Sequence, residues 1–121
     1  MLVIGAIPDF PYLATECIYR AERYGLGWDY CGISRSQIDA TTGVANRIVR
    51  DIVLKLPNAR FIDPVDLFCD DTFCRPYVQR SILYRDNNHL SLFGADWLYS
   101  KLRPHMVWAM TGKEESAGIA R

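Results

Sequence analysis

The sequence predicts an α/β fold organised on parallel strands, and three observations carry that expectation. Residues 2 to 7 (LVIGAI) form a continuous apolar run stopped by Pro8, the pattern of a strand buried on both faces. A second short strand-like stretch, Ala59 to Ile62, comes only much later in the chain. Helical periodicity fills the interval and the end, over 12 to 24, 37 to 55 and 91 to 102. Strands separated by helices imply a parallel sheet with helices laid against it. At 121 residues, half of them hydrophobic, the chain can bury one core and is too short for two full domains.

The first strand opens into a loop carrying Pro8, Asp9, Phe10 and Pro11. It lies at the carboxyl end of the strand, where open α/β sheets place their sites. The helix over 12 to 24 presents Leu13, Cys17, Ile18 and Ala21 on one face and stops at Gly25. Cys17 reads equally as a core residue or as half of a disulfide. Gly25 to Arg35 is a glycine-rich loop holding Trp28, Tyr30 and Cys31. Its GLG lacks a following GK[ST] or a GxGxxG frame and so has no phosphate-binding logic. Trp28 and Tyr30 either line a groove or cover the edge of the core.

Ser34 or Ser36 is placed to cap the next helix, which the pattern carries to Lys55. Ala45, Ile48, Val49, Ile52, Val53 and Leu56 recur at helical spacing and predict the face packed on the sheet. Asn46, Arg47, Arg50 and Asp51 fall on the opposite side, with no chemistry attached to them. Pro57 and Asn58 end that helix before the strand at 59 to 62. Asp63-Pro64 then opens a turn in which the Asp63 carboxylate can accept a backbone N–H. Cys69 and Cys74 bracket a short acidic loop, a separation that a disulfide can span. Asp70 and Asp71 between them lack the further oxygen ligands of a calcium site. Tyr77 to Gln79 and Ser81 to Tyr84 read as two short extended pieces of one hairpin. Arg75, Arg80 and Arg85 pair with nearby carboxylates or meet an anionic substrate. The final helix takes Ser91 as its N-cap and Leu92, Ala95, Leu98 and Leu102 as its apolar stripe, with Pro104 closing it. Gly94 allows close packing under the preceding loop. His105 has no carboxylate partner in the local sequence and reads as a surface residue.

Several functional classes are excluded by composition. Fourteen basic and fourteen acidic residues give zero formal charge, without the basic excess of a nucleic-acid surface. No stretch approaches the roughly eighteen apolar residues of a membrane span. The apolar start lacks the basic flank and small-residue cleavage site of a signal peptide. The four cysteines contain no CxxC pair, so a zinc site is disfavoured and no metal or cofactor is expected.

The chemistry concentrates in Tyr84-Arg85-Asp86-Asn87-Asn88-His89-Leu90-Ser91, where a strand gives way to a helix. A carboxylate accepting the Nδ1 proton of an imidazole fixes its tautomer and leaves Nε2 free to take a proton from a nucleophile. Two intervening residues let a single turn bring Asp86 and His89 together. A polar loop ending in a helix cap would also produce this spacing.

The run Asp86 to Ala95 (DNNHLSLFGA) resembles the last block of SGNH-type hydrolases. It is closest to the SGNH domains attached to membrane-bound acyltransferases (acyltransferase 3 type) that O-acetylate cell-surface glycans. VIGAIP (Val3 to Pro8), FIDPVDLFC (Phe61 to Cys69), and Cys74 ahead of the LYRDNNHLS block agree with the family in order, so the resemblance covers roughly residues 1 to 102.

The resemblance implies a three-layer, flavodoxin-like fold and a Ser-His-Asp triad in which His89 is the base and Asp86 orients it. It also implies an acylated glycan or acyl donor as substrate and a place on the periplasmic or extracytoplasmic side of a larger membrane protein, where disulfides persist. The family's Gly-Asp-Ser nucleophile turn does not occur in the sequence. Nor do its oxyanion-stabilising glycine and asparagine blocks. The expectation is therefore the C-terminal part of such a domain over residues 1 to 104, with 105 to 121 as a tail. A missing N-terminal half, a membrane acyltransferase module in cis or a second copy would complete the sheet. Ser34 and Ser36 are the spare hydroxyls, neither expected at a strand-to-helix elbow. Two rival readings remain: a glycan-binding module with a groove of Trp28, Tyr30 and Tyr77, and a cysteine-dependent enzyme using Cys17 or Cys31.

Overall fold

The computed structural model describes residues 1–115 and shows a mixed α/β chain. Its elements are β1 (Leu2–Ile4), α1 (Ala14–Arg23), β2 (Ile33–Ser34), α2 (Arg35–Asp39), α3 (Thr42–Val53), β3 (Arg60–Ile62), α4 (Val65–Phe68), β4 (Phe73–Cys74), β5 (Tyr77–Val78), β6 (Ser81–Ile82) and α5 (Leu92–Thr111). A 3-10 turn covers Trp28–Cys31.

The two strands read from the sequence pair in parallel, with Leu2 opposite Arg60, Val3 opposite Phe61 and Ile4 opposite Ile62. β1 is shorter than the apolar run that predicts it. Gly5 still donates to the Ile62 carbonyl at 2.9 Å, but the N–H and C=O of Ala6 are both taken by the side chain of Asn46. β2 with β4 and β5 with β6 add two small antiparallel pairs, the second being the expected hairpin.

α1 ends as Gly25 directs. At φ +68° this residue lets its own N–H reach the Glu22 carbonyl and that of Leu26 reach Ala21, the paired bonds of a Schellman stop. The single helix expected over 37 to 55 is instead two. Ser34 caps α2 through the Gln37 N–H, and the chain then breaks at Ala40 and Thr41 before α3. The Thr41 hydroxyl reaches back to the carbonyls of Gln37 and Ile38, local bonds that compete with helix continuation.

The buried side of α3 also differs from the expected one. Gly43, Asn46 and Val53 face inward, whereas Val44, Ile48, Val49 and Ile52 are exposed. A sheet of two strands is too narrow to cover the whole apolar stripe. Asn46, at 2% exposure, is buried because its amide satisfies Ala6 and also donates to Asp63 Oδ1 at 2.9 Å.

α5 continues through Pro104 to Thr111 rather than stopping after Leu102, so it crosses the boundary expected at 104 and 105. An interior proline loses one backbone bond. Compensation comes from Arg60 of β3, which stacks on Trp108 at 4.1 Å and bonds His105 Nδ1 at 3.0 Å. His105 is thus half-buried and partnered, contrary to the surface position expected of it. Part of the expected tail, residues 116 to 121, lies outside the described residues.

The main core gathers Phe10, Ala14, Ile38, Val65, Phe68, Leu83 and Tyr84 beyond the carboxyl ends of β1 and β3. A smaller cluster is built on the Cys17–Cys31 disulfide with Ile18 and Ala21, which settles the role of Cys17. The second bridge, Cys69–Cys74, closes the acidic loop.

Candidate functional site

The Asp86–His89 block is a tight loop closed at its base. Tyr84 and Leu90 form an antiparallel bridge, and the Arg85 N–H donates to the His89 carbonyl at 2.9 Å. Just beyond, Ser91 N–H donates to Leu83 O at 2.8 Å and its hydroxyl to Ile82 O at 2.8 Å. The same hydroxyl accepts from Gly94 N–H and caps α5 as its position predicts. Gly94 is required by contact: a Cβ there would sit 2.0 Å from the Leu83 carbonyl oxygen.

Within the loop one carboxylate organises everything. Asp86 Oδ1 accepts from the Asn88 N–H at 2.9 Å and the His89 N–H at 2.7 Å, while Oδ2 lies 2.9 Å from His89 Nδ1. The two backbone bonds are those of an Asx turn, so the residue types and their spacing dictate the loop. The backbone N–H of Asn88 is the largest influence holding the Asp86 carboxyl below its ordinary value, with the His89 N–H and ring adding to it. An ionised carboxylate only accepts hydrogen bonds, so Nδ1 must carry a proton. In the neutral ring Nε2 is then the lone-pair nitrogen. Among the described residues Nε2 has no hydrogen-bond partner, and the side chain is 60% exposed against 33% for Asp86.

The loop following β1 clamps this block from the side. The Tyr84 hydroxyl donates to Pro8 O at 2.6 Å, and Phe10 N–H donates to Asn87 O at 2.9 Å. Asn87 Nδ2 donates to Asp9 Oδ1 at 3.2 Å, and Ala14 N–H reaches Asp86 O at 3.3 Å. α1 has no side-chain cap, so the Asp86 carbonyl satisfies one of its orphan N–H groups. Burial pushes the Tyr84 phenol far up, which keeps it neutral and donating. Asp9 is held from its other side, its N–H donating to Thr42 Oγ1 at 3.2 Å at the start of α3.

Beside the clamp lies an open cleft of about 570 Å³ between the 9–13 loop and α2, with Asn87 on its wall. Sequence reasoning placed the loop at the right end of the strand but missed Asp9, Gln37, Thr41 and Asn46. The recurring sign was a polar residue near an element end; the partners lie too far apart in sequence to be read.

The other candidates fall elsewhere. Ser34 does sit at a strand-to-helix junction, between β2 and α2, contrary to expectation, but its hydroxyl is engaged as the helix cap and with Ser36 Oγ at 3.2 Å. All four cysteines are in disulfides, which removes the thiols of a cysteine-dependent mechanism and of a zinc site. Trp28 stacks edge-on against Tyr77 and donates to Glu22, and Arg80 lies over its ring. Tyr77 bonds Asp29. Tyr30 lines a different cleft, with Tyr12 and Arg20, so the three aromatics form no common groove. Arg75 pairs with Asp29 and Asp70, and Arg80 with Glu22, as carboxylate-paired surface arginines.

A family model described as "SGNH domain (fused to AT3 domains)" matches residues 1–104. No curated protein and no solved structure matches the chain.

Proposed function

The chain belongs to the SGNH domain family whose members are fused to AT3, that is acyltransferase-3, domains, and from that premise we propose that it supplies the base and the orienting carboxylate of a serine acyl-transfer site. The observation carrying this reading is the 2.9 Å contact of Asp86 Oδ2 with His89 Nδ1, which leaves an exposed, unpartnered Nε2. In the reaction, Nε2 removes the proton of a serine hydroxyl as the oxygen attacks an acyl carbonyl. The imidazolium, held by Asp86, returns that proton to the leaving oxygen. A water or a sugar hydroxyl, deprotonated by the same nitrogen, then cleaves the acyl-serine. Water as acceptor makes an esterase; a sugar hydroxyl makes an O-acyltransferase. The family association favours an acetyl group and a cell-surface glycan.

The serine comes from outside these 121 residues. The sequence holds no Gly-Asp-Ser, and among the described residues no hydroxyl bonds His89. The flavodoxin-like, three-layer arrangement is part of the same reading, with further strands of the domain completing the narrow β1–β3 sheet. So are a membrane acyltransferase module in cis and an extracytoplasmic position. None of the described helices is itself long and apolar enough to cross a membrane.

The test is acyl trapping in the protein purified from its own cells. A labelled acetyl donor is expected to leave an ester on a serine in a Gly-Asp-Ser turn, with His89→Ala lowering turnover by about four orders of magnitude. If peptide mapping finds only this sequence and no acyl-serine forms, catalysis is lost and a glycan-binding module, the second reading, takes its place. The open cleft next to Asn87 is what favours that alternative.

A further inference from the structure

The cleft beside the clamp is built with a particular polarity. Its floor is apolar, from Phe10, Tyr12 and Ile38, and its polar lining comes from Asp9, Gln37, Thr41 and Asn87. At about 570 Å³ it has the size of a small-ligand site. Several of its polar atoms are unspent. Among the described residues the Gln37 side-chain amide, Asn87 Oδ1 and Asp9 Oδ2 make no hydrogen bond, and the Tyr12 hydroxyl is buried without a partner. A buried donor left unpaired is costly. Burial pushes the Tyr12 phenol up to about 12, so it stays a neutral donor at physiological pH. No lysine or arginine lines the cleft, and its one charged group is the carboxylate of Asp9.

We propose that this cleft is a binding subsite for an uncharged sugar ring, with Gln37 and Asn87 bonding its hydroxyls and Asp9 excluding anionic sugars. The apolar floor receives the ring's C–H face, while amide and carboxylate oxygens accept its hydroxyl protons. A uronate or other anionic ring would bring its charge against Asp9 with no cation to offset it. Asp9 is held in place for this role, with Oδ1 fixed by Asn87 Nδ2 and its N–H by Thr42 Oγ1. The subsite deepens the acyl-transfer reading by giving the acceptor class, and rests on that reading for its connection to His89.

The experiment is a chemical-shift titration of the isotope-labelled 121-residue chain. The probes are methyl glycosides of glucose, galactose, mannose and N-acetylglucosamine, each set against the matching uronate where one exists. At least one neutral glycoside is expected to move the Gln37 side-chain amide and the Thr41 and Asn87 backbone amides saturably. Its uronate should bind about tenfold more weakly. Asp9→Asn should bring the two within about twofold, and Gln37→Ala should weaken the neutral sugar about fivefold. Saturable shifts for no neutral glycoside, saturation only at other residues, or uronates binding as tightly as their neutral partners would each overturn the proposal. The two readings fail separately. Sugar binding here with no acyl-serine in the full protein sinks the catalytic reading alone, and His89-dependent transfer with no shifts in the cleft sinks the subsite alone.

Discussion

The two flanks of the molecule are finished to different degrees. Around Asp86 and His89 the groups are tied down: the Asx turn, the Tyr84–Leu90 bridge, the Ser91 cap and the bonds from the 8–14 loop all converge on a few residues. Along α3 the opposite holds, with Val44, Ile48, Val49 and Ile52 facing solvent and the two-stranded sheet beside them left narrow. The difference teaches that this chain concentrates its order where a side chain must be aimed. The role proposed for His89 demands such order, because proton transfer tolerates little angular error, whereas an apolar face only needs something to lie against.

The contrast is most sharply broken at Gly94. Gly94→Ala drives a methyl into the Leu83 carbonyl, and backbone against backbone cannot yield by rotation. A loss of roughly 3 kcal/mol is expected in urea unfolding, with displacement of the His89 ring signals because α5 must shift. Next is Asn46→Leu, which leaves the Ala6 N–H and C=O unpaired and costs about 2–3 kcal/mol. Tyr84→Phe removes only the bond to Pro8 and should cost about 1 kcal/mol. Its informative readout is the Phe10 amide, which donates to Asn87 O and should lose exchange protection if the clamp acts as a unit. Smallest is Ile48→Lys on the open flank, expected within about 0.5 kcal/mol of the parent. A cost above 2 kcal/mol in that last case would mean that the α3 face is covered in solution.

Acid separates the regions further. Asp86 is depressed in the folded chain, so its contribution is fully present above its ordinary value of 3.8 and is lost as pH falls through the lower folded value. Protection of the Asn88 and His89 amides should therefore persist at pH 4 and collapse only below it. Asp86→Asn should make that protection independent of pH in this window. Collapse beginning well above pH 4 would show that the Asx turn does not hold the carboxylate ionised.

What could be read from the sequence follows from distance along the chain. The Asp86–His89 contact, the Ser91 cap, the Asp63 turn and the Gly25 stop all act within a few residues, so residue type and spacing suffice for them. Asp63 Oδ1 does accept the Val65 N–H at 3.0 Å. The parallel pairing of β1 with β3 was legible because a run of apolar residues ended by proline has few other uses. Asn46 was not. A polar residue on an amphipathic helix points outward by default, and only the unpaired groups of Ala6, forty positions away, turn it inward. Thr42 with Asp9 and Arg60 with Trp108 are illegible for the same reason, and the second of these hides the continuation of α5 past Pro104.

Asn46 also acts as a sheet terminator. Its amide presents to Ala6 one acceptor and one donor, the pair of groups that a neighbouring peptide would offer, so the edge of the chain is already occupied at that register. A strand added alongside β1 from another chain or segment could run past Leu2 to Ile4 and would then meet a filled position. The open edge is accordingly a stub of three residues, too short to template the indefinite strand-on-strand growth that unprotected edges invite.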